Sequence, residues 1–175
     1  TLQEASLAKY DRICKKLELE PGDHVLEIGT GWGGFAVFAA GRYGCRVTTT
    51  TISEKQFAAA RERVRAAGLE DRVRLLFKDY RDLDGRFDKL VSIEMIEAVG
   101  HQYLDPFFRV CSERLKQNGM MLLQAITIAD RAFERHKRSV DFIKRYIFPG
   151  SCIPSIAAMS RSVAGFTDLK IDHLE

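Results

Sequence analysis

The chain has 175 residues, of which 46% are hydrophobic and 29% are charged, a balance typical of one globular domain with a sizeable core. The 27 basic and 24 acidic side chains leave a net charge of +3, too small to indicate a nucleic-acid-binding face. The longest apolar stretch, residues 120–129, is interrupted by Gln124 and is far shorter than the roughly 20 residues of a membrane span. Composition therefore excludes a polyanion binder and a membrane-spanning protein.

The cysteine pattern points to a reducing compartment. Cys14, Cys45, Cys111 and Cys152 are widely spaced, with no C-x-x-C pair and no histidine at ligand spacing. We therefore expect neither a metal site nor a disulfide framework, and we expect a cytoplasmic protein. No signal peptide is recognisable, and because the chain opens at Thr1, we expect it to be part of a longer one.

Helical and strand patterns alternate along the first 128 residues. Apolar spacing predicts a first helix over residues 2–17, and a capping box of Ser53 and Gln56 predicts the start of a later one. Gly68 should end that helix, and Asn118-Gly119 should close another. The helices are expected at residues 2–17, 35–42, 53–67 and 104–116, and the strands at 24–28, 45–50, 73–77, 89–93 and 120–128.

The last third of the chain has a different pattern. We expect a basic helical stretch over residues 131–148, a break at Pro149-Gly150, a short helix over 155–163 and a final strand over 166–174. Strands that alternate with helices predict an α/β fold with a doubly wound, mostly parallel sheet, formed by residues 1–175 as a single domain.

A glycine-rich turn lies between the first strand and its helix. Residues 29–34 read Gly-Thr-Gly-Trp-Gly-Gly and satisfy the G-x-G-x-x-G pattern in the strand-to-helix context where it carries weight. Glycines let the backbone approach a ligand closely, and the helix N-terminus offers free N–H groups to an anion. A tight turn without a ligand is the alternative.

The position of the nearest acid distinguishes between two nucleotide cofactors. A nicotinamide site requires an acidic residue at the end of the second strand, where this chain has four threonines, residues 48–51. The acid is instead Glu27, inside the end of the first strand, where a carboxylate can face the ammonium of an amino acid group. This placement favours S-adenosylmethionine.

Two further positions follow the second and third strands. Asp79 can accept a hydrogen bond from an adenine amino group while Tyr80 covers the ring, and Gln56 can serve the ribose. Alone, Asp79 is equally typical of a turn and Gln56 of a helix cap. Their joint position, at the carboxyl ends of successive strands, favours the ligand-binding interpretation.

Five segments together resemble the cyclopropane-fatty-acyl-phospholipid synthase family. They read VLEIGTGWGG at 25–34, TIS at 51–53, DYRDL at 79–83, EMIEAVGH at 94–101 and YIFPG at 146–150. The resemblance implies the Rossmann-like fold of class I methyltransferases, here truncated before its last strand. The candidate cofactor-binding residues are Glu27, Gly29, Thr30, Gly31, Trp32, Gly33, Thr51, Ile52, Gln56, Asp79 and Tyr80.

The resemblance also implies a reaction. A methyl group from S-adenosylmethionine is added to the double bond of an unsaturated acyl chain of a phospholipid, and the resulting cation closes to a cyclopropane ring after a base removes a proton. In the family that base is a bound bicarbonate ion, whose glutamate corresponds to Glu97 and whose backbone contact corresponds to Ile126. The alternative for Glu97 is a surface carboxylate at a helix start.

The chain departs from the family pattern at several positions. Thr30 replaces a cysteine, which should leave cofactor binding intact, and Gln124 replaces a histidine that many members carry. Glutamine can still donate to bicarbonate but cannot titrate. With Glu94 in place of a small residue, this indicates a subgroup in which some products are methyl-branched. The family's covering N-terminal segment and later tyrosine lie outside residues 1–175, so we expect this part alone to be inactive.

A basic stretch is the remaining candidate feature. Its residues are Arg131, Arg135, His136, Lys137, Arg138, Lys144 and Arg145. They form either a solvated helix face or a surface attracted to anionic headgroups, peripheral to the inner membrane face. A small-molecule methyltransferase and a nucleotide-binding module without catalysis remain alternative functions, and the pattern gives no oligomeric state.

Overall fold

The computed structural model describes all of residues 1–175 and contains a five-stranded sheet. The strands are β1 (His24–Ile28), β2 (Arg46–Thr51), β3 (Val73–Phe77), β4 (Phe87–Ile93) and β5 (Leu115–Gln124), in the order β3-β2-β1-β4-β5. β1 pairs in parallel with β2 and with β4, and β2 pairs in parallel with β3. The expected doubly wound, mostly parallel α/β class is confirmed.

Six α-helices accompany the strands. They are α1 (Leu2–Lys16), α2 (Gly34–Tyr43), α3 (Glu54–Ala66), α4 (Leu104–Arg114), α5 (Asp130–Arg138) and α6 (Ile156–Phe166). None of them combines the length and the apolar composition that a membrane-crossing helix requires.

The residues divide into two compact units. The first comprises Thr1–Ser92 and Arg114–Leu123, and the second comprises Ile93–Glu113 and Gln124–Glu175. The prediction of a single domain therefore stays a prediction.

The central position of β1 explains the core of the first unit. Val25, Leu26 and Ile28 are at most 1% exposed, as strands buried on both faces of a parallel sheet require. Register places Glu27 opposite Thr49 of β2 and Val91 of β4, so this acid lies in the most enclosed strand.

Local chemistry explains how α3 begins, with one change from expectation. The Ser53 hydroxyl caps the helix by accepting from the Gln56 N–H at 3.3 Å. The Gln56 side chain does not complete a capping box, because its oxygen accepts from the Thr51 hydroxyl at 2.9 Å. The Thr51 hydroxyl oxygen in turn accepts from the Ser53 N–H at 3.1 Å, so a threonine at the strand end replaces the expected reciprocal contact.

Three expected elements in the later part of the chain differ from the structure. β5 starts at Leu115, five residues early, and includes Asn118, so this residue lies within a strand, with φ of 63°, and does not close a helix. The basic stretch is interrupted after α5 and continues as one π-helical turn, Ile143–Ile147. The strand expected over 166–174 is wrong: α6 extends to Phe166, and residues 167–175 form no strand. A strand needs a neighbour for its backbone hydrogen bonds, and no strand of the chain pairs with this segment.

Candidate functional site

Glu27 is the central acid of the first unit. Its side chain is 2% exposed, and its Oε2 is buried without a hydrogen-bond partner. Burial raises the pKa of Glu27 to about 8, and the Thr49 hydroxyl, which hydrogen-bonds to it, offsets part of that rise. A buried oxygen without a partner is costly unless a ligand supplies a donor. The structure therefore fits the ammonium group that the sequence predicted opposite Glu27.

The glycine turn follows directly and exposes backbone. Gly29, Gly31 and Gly33 all have positive φ, at 100°, 51° and 79°. A Cβ built on Gly31 would meet no atom within 4 Å, whereas one on Gly33 would lie 2.9 Å from the Cβ of Ala60. Gly31 thus leaves open space where a ligand can lie against the backbone, while Gly33 allows α2 to pack closely on α3.

Thr30 and Trp32 differ in exposure: the first is buried within the turn and the second is exposed beside it. The Thr30 hydroxyl lies 2.7 Å from that of Thr49 and the residue is 3% exposed, so its side chain is not available to a ligand. The N–H groups of Gly29 and Thr30 both donate to the Thr50 carbonyl, at 3.2 and 3.0 Å, which fixes the turn against β2. Trp32 is 58% exposed and presents an aromatic surface beside the turn.

The end of β2 presents a polar and an apolar group. Since the oxygen of Gln56 accepts from Thr51, the nitrogen end of its amide is the part left for ribose hydroxyls. Ile52 is 72% exposed, and such an apolar side chain after a strand suits the flat face of a nucleobase.

Asp79 forms hydrogen bonds within the protein that the sequence did not predict. Arg81 donates to both of its carboxylate oxygens, from Nε at 2.9 Å and from a terminal nitrogen at 2.8 Å. Asp79 also caps a short 3-10 turn, Tyr80–Asp82, by accepting from the Arg81 N–H. The Arg81 guanidinium holds the pKa of Asp79 below its ordinary value. The turn-forming alternative is therefore realised, and the contacts of Asp79 and half-buried Tyr80 with adenine stay predictions.

The second unit holds the three residues expected to be catalytic. Glu97 lies in a 3-10 turn, Ile96–Ala98, and its Oε1 accepts from the Ile126 N–H at 2.5 Å. Its Oε2 is buried without a partner, and its carbonyl accepts from the Cys152 N–H at 2.9 Å. The surface-carboxylate alternative does not describe this side chain, because a long-range backbone hydrogen bond holds it.

Gln124 lies at the end of β5 and is held by Glu94. The nitrogen of its side-chain amide donates to the Glu94 carboxylate at 2.5 Å, and its carbonyl oxygen Oε1 is buried without a partner. Both residues depart from the family pattern in sequence, but the hydrogen bond between them was not predicted. Glu94 has φ of 51°, an uncommon conformation for a residue with a Cβ, and only the structure shows it.

The two implied ligands fit these residues differently. The glycine turn and the Glu27 oxygen without a partner fit an amino acid ammonium and an adenosyl group, as S-adenosylmethionine carries. Bicarbonate has one O–H to donate and needs N–H donors for its other oxygens, but the unpartnered buried atoms at Glu97 and Gln124 are both acceptors. The Ile126 N–H and the Gln124 amide nitrogen already donate to carboxylates of the chain. The donor set therefore does not match bicarbonate.

Comparison with known proteins gives consistent matches along the chain. The family model for mycolic acid cyclopropane synthetase matches residues 1–175. A probable fatty acid methyltransferase of Pseudomonas putida is 39% identical over 179 residues, covering 99% of this chain and 45% of that protein. The cyclopropane-fatty-acyl-phospholipid synthase of Escherichia coli strain K12 is 41% identical over 162 residues, covering 92% of this chain and 40% of that protein.

A solved structure matches at the level of the whole fold. A crystal structure of a mycolic acid cyclopropane synthase complexed with SAH and CTAB superposes with a TM-score of 0.88 at 31% identity, covering 99% of this chain and 64% of that chain. The chain thus spans less than half the length of the two curated relatives described above.

Proposed function

Because the chain belongs to the mycolic acid cyclopropane synthetase family, we propose that it serves methyl transfer from S-adenosylmethionine to the double bond of an unsaturated phospholipid acyl chain, forming a cyclopropane ring. The relatives that it matches include both a cyclopropane-fatty-acyl-phospholipid synthase and a probable fatty acid methyltransferase, and the proposed transfer of a methyl group to a lipid carbon is compatible with both.

One observation carries the cofactor part of the proposal. Glu27 is a buried carboxyl group whose Oε2 has no partner, and it immediately precedes a turn with open space at Gly31. A cationic amino group would satisfy that oxygen, and the backbone of the turn leaves room for the rest of the ligand. A nicotinamide dinucleotide would instead require an acid at the end of β2, where Thr51 lies.

The chain's residues have separate tasks in the proposed reaction. When bound, the sulfonium cofactor supplies an electrophilic methyl group. Glu27 orients the amino acid end through its ammonium, and Gln56 and Ile52 hold the nucleoside end. Glu97, which the Ile126 N–H holds in place, serves the removal of the proton that is lost as the ring closes.

A methyl-branched acyl product is the second candidate. The 39% identity to a probable fatty acid methyltransferase and the presence of Gln124 at a position where many family members have histidine both favour it. The two outcomes share the methyl transfer: loss of a proton from the added methyl group closes the ring, whereas loss of a proton from a neighbouring chain carbon leaves a methyl-branched chain with a double bond. Analysis of the product, rather than of the rate, separates them.

We also propose a peripheral membrane contact through the region of α5 and the π-helical turn. Lys137 and Lys144 are tied to Glu134 and to backbone carbonyls, but exposed apolar residues lie among the basic ones. These are Val140, Phe142, Ile143, Tyr146, Ile147 and Phe148, each at least 50% exposed. Basic side chains beside apolar ones suit an anionic lipid surface. The cytoplasmic location stays a prediction.

The test uses the full-length protein with methyl-labelled S-adenosylmethionine and vesicles of an unsaturated phospholipid, with saturated vesicles as the matched control. We expect one methylene increment in the unsaturated acyl chains alone, and loss of this product in Glu97→Gln. Label found only in a soluble metabolite would instead support a small-molecule methyltransferase. No label in any product would support a binding module without catalysis.

A further inference from the structure

We propose that Glu94 is a positioning residue that fixes the amide of Gln124, so that its N–H group is not available to an anion and Glu97 itself, not a bound bicarbonate, takes the proton. This inference rests on the proposed function, because it concerns the base of that reaction. It assigns a role to Glu94 and makes the reaction independent of an added anion.

The backbone and the side chain of Glu94 both hold Gln124. The Glu94 N–H donates to the Gln124 carbonyl at 2.8 Å, and the Glu94 Oε1 accepts from the Gln124 Nε2 at 2.5 Å. The left-handed conformation of Glu94, with φ of 51°, costs free energy that surrounding contacts must offset. Two hydrogen bonds to one partner provide such contacts.

The contact with Glu94 determines which end of the amide faces it. A carboxylate only accepts hydrogen bonds, so the group that faces Glu94 must be the amide nitrogen. The carbonyl oxygen of Gln124 is then forced to the opposite side, where it is buried without a partner. An amide orientation is often ambiguous, but a charged acceptor beside it removes the ambiguity.

The donors that an anion would need are already engaged. The Ile126 N–H donates to Glu97 Oε1, and the Gln124 Nε2 donates to Glu94. Bicarbonate has a single O–H, which can satisfy only one of the two unpartnered acceptors, Glu97 Oε2 and Gln124 Oε1. Its other oxygens would lack hydrogen-bond donors from these residues, which is unfavourable away from water. The same arrangement favours a donor or a positive charge, such as the cationic intermediate of the acyl chain.

The proposed step balances without a further reactant. The methyl group added to the acyl chain loses a proton to Glu97 Oε2, and the electron pair of that C–H bond forms the carbon–carbon bond that closes the ring on the cationic carbon. Glu97 becomes a neutral acid and returns its proton to water after product release.

The test measures the full-length protein in buffer freed of carbonate by acidification and argon sparging, with unsaturated phosphatidylglycerol vesicles. We expect added bicarbonate to change the rate by less than about twofold. In a second measurement without lipid, the wild-type protein should leave the ¹³C resonance of labelled bicarbonate unbroadened. A broadened resonance that sharpens in Glu97→Gln would overturn the proposal.

Matched variants isolate Glu94. Glu94→Ala combined with Gln124→His removes the fixing carboxylate and supplies a ring N–H donor. This double variant should broaden the ¹³C resonance of labelled bicarbonate, and added bicarbonate should accelerate its turnover roughly tenfold. Glu70→Ala, at an exposed glutamate, should behave as wild type. If bicarbonate leaves the double variant unchanged, the role of Glu94 is overturned. Absence of labelled acyl chains at every bicarbonate concentration counts against the proposed function, whereas the resonance measured without lipid decides the base independently.

Discussion

Glu27 and Glu97 are both acids with one buried oxygen that lacks a partner, yet the chain holds them in different ways. Glu27 lies inside the central strand of the sheet, between Thr49 and Val91, where backbone ladders on both sides fix it. Glu97 lies in a three-residue turn, and one hydrogen bond from the Ile126 N–H fixes its side chain. The acid in the strand is set by the fold, while the acid in the turn depends on a few neighbours.

Removal of the Glu27 carboxylate should weaken cofactor binding more than any other single change. Glu27→Gln keeps the shape but deletes the partner of the cofactor ammonium, and loss of one member of a buried charge pair costs on the order of 3 kcal/mol, about a hundredfold in affinity. Isothermal calorimetry with S-adenosylhomocysteine measures this change. Glu62→Gln, at an exposed position of α3, is the control and should bind normally. Equal affinity of both variants would remove Glu27 from the site.

The glycine turn gives the next largest effect. Gly31→Val places a branched side chain in the open space beside the turn and forces it into a left-handed conformation that costs about 1–2 kcal/mol, so binding should fall at least tenfold. Gly22→Val is the matched control, because a Cβ there also meets nothing within 4 Å and φ is not positive. Retained affinity in Gly31→Val, with normal folding by circular dichroism, would place the ligand elsewhere.

The raised pKa of Glu27 predicts two opposite pH dependences. The cofactor ammonium binds the ionised form, so affinity should rise by up to about tenfold per pH unit as pH increases toward about 8. In the free protein the folded pKa exceeds the unfolded one, so the stability contributed by the neutral acid is complete below 4.5 and is lost as pH rises through about 8.

Calorimetry and thermal unfolding of the wild type and Glu27→Gln, each at pH 6 and pH 9 in the same salt, measure both dependences. The variant should lose less stability between the two pH values than the wild type does. An identical loss in both proteins would show that Glu27 is ionised in the free fold.

The smallest effect concerns Thr49. Its hydroxyl pairs with Thr30 at 2.7 Å and lowers the pKa of Glu27, so Thr49→Val should raise that pKa further and weaken binding at pH 7 by about fivefold, with a stability loss of about 1 kcal/mol. Thr48→Val is matched, since Thr48 pairs with His24 at 2.8 Å. It should cost similar stability in urea unfolding without weakening the ligand. A larger binding loss in Thr48→Val would contradict the assignment.

The features of the first unit could be predicted from the sequence because local rules determine them. Alternating apolar periods placed the strands, the glycine pattern placed the turn, and an acid inside an apolar strand end identified Glu27. The missed details are tertiary. Gln56 bonds to Thr51 rather than to its own cap, and residues 167–175 form no strand because none of the chain's strands pairs with them.

Only some features of the second unit could be predicted from the sequence. The motif around Glu97 predicted the residue, but no local rule predicts a left-handed glutamate at Glu94 or the amide orientation that it imposes on Gln124. The amide orientation depends on a hydrogen bond between residues 30 positions apart in the chain. Such pairs are visible only after the strands have been assembled.

The cofactor preference of residues 1–175 can be measured by parallel calorimetric titrations with S-adenosylhomocysteine and with NAD. Glu27 lies where an ammonium would satisfy it, and Thr51 occupies the place of a ribose-binding acid, so we expect saturable heat with S-adenosylhomocysteine and none with NAD. Preferential binding of NAD would contradict the cofactor assignment and, with it, the proposed methyl transfer.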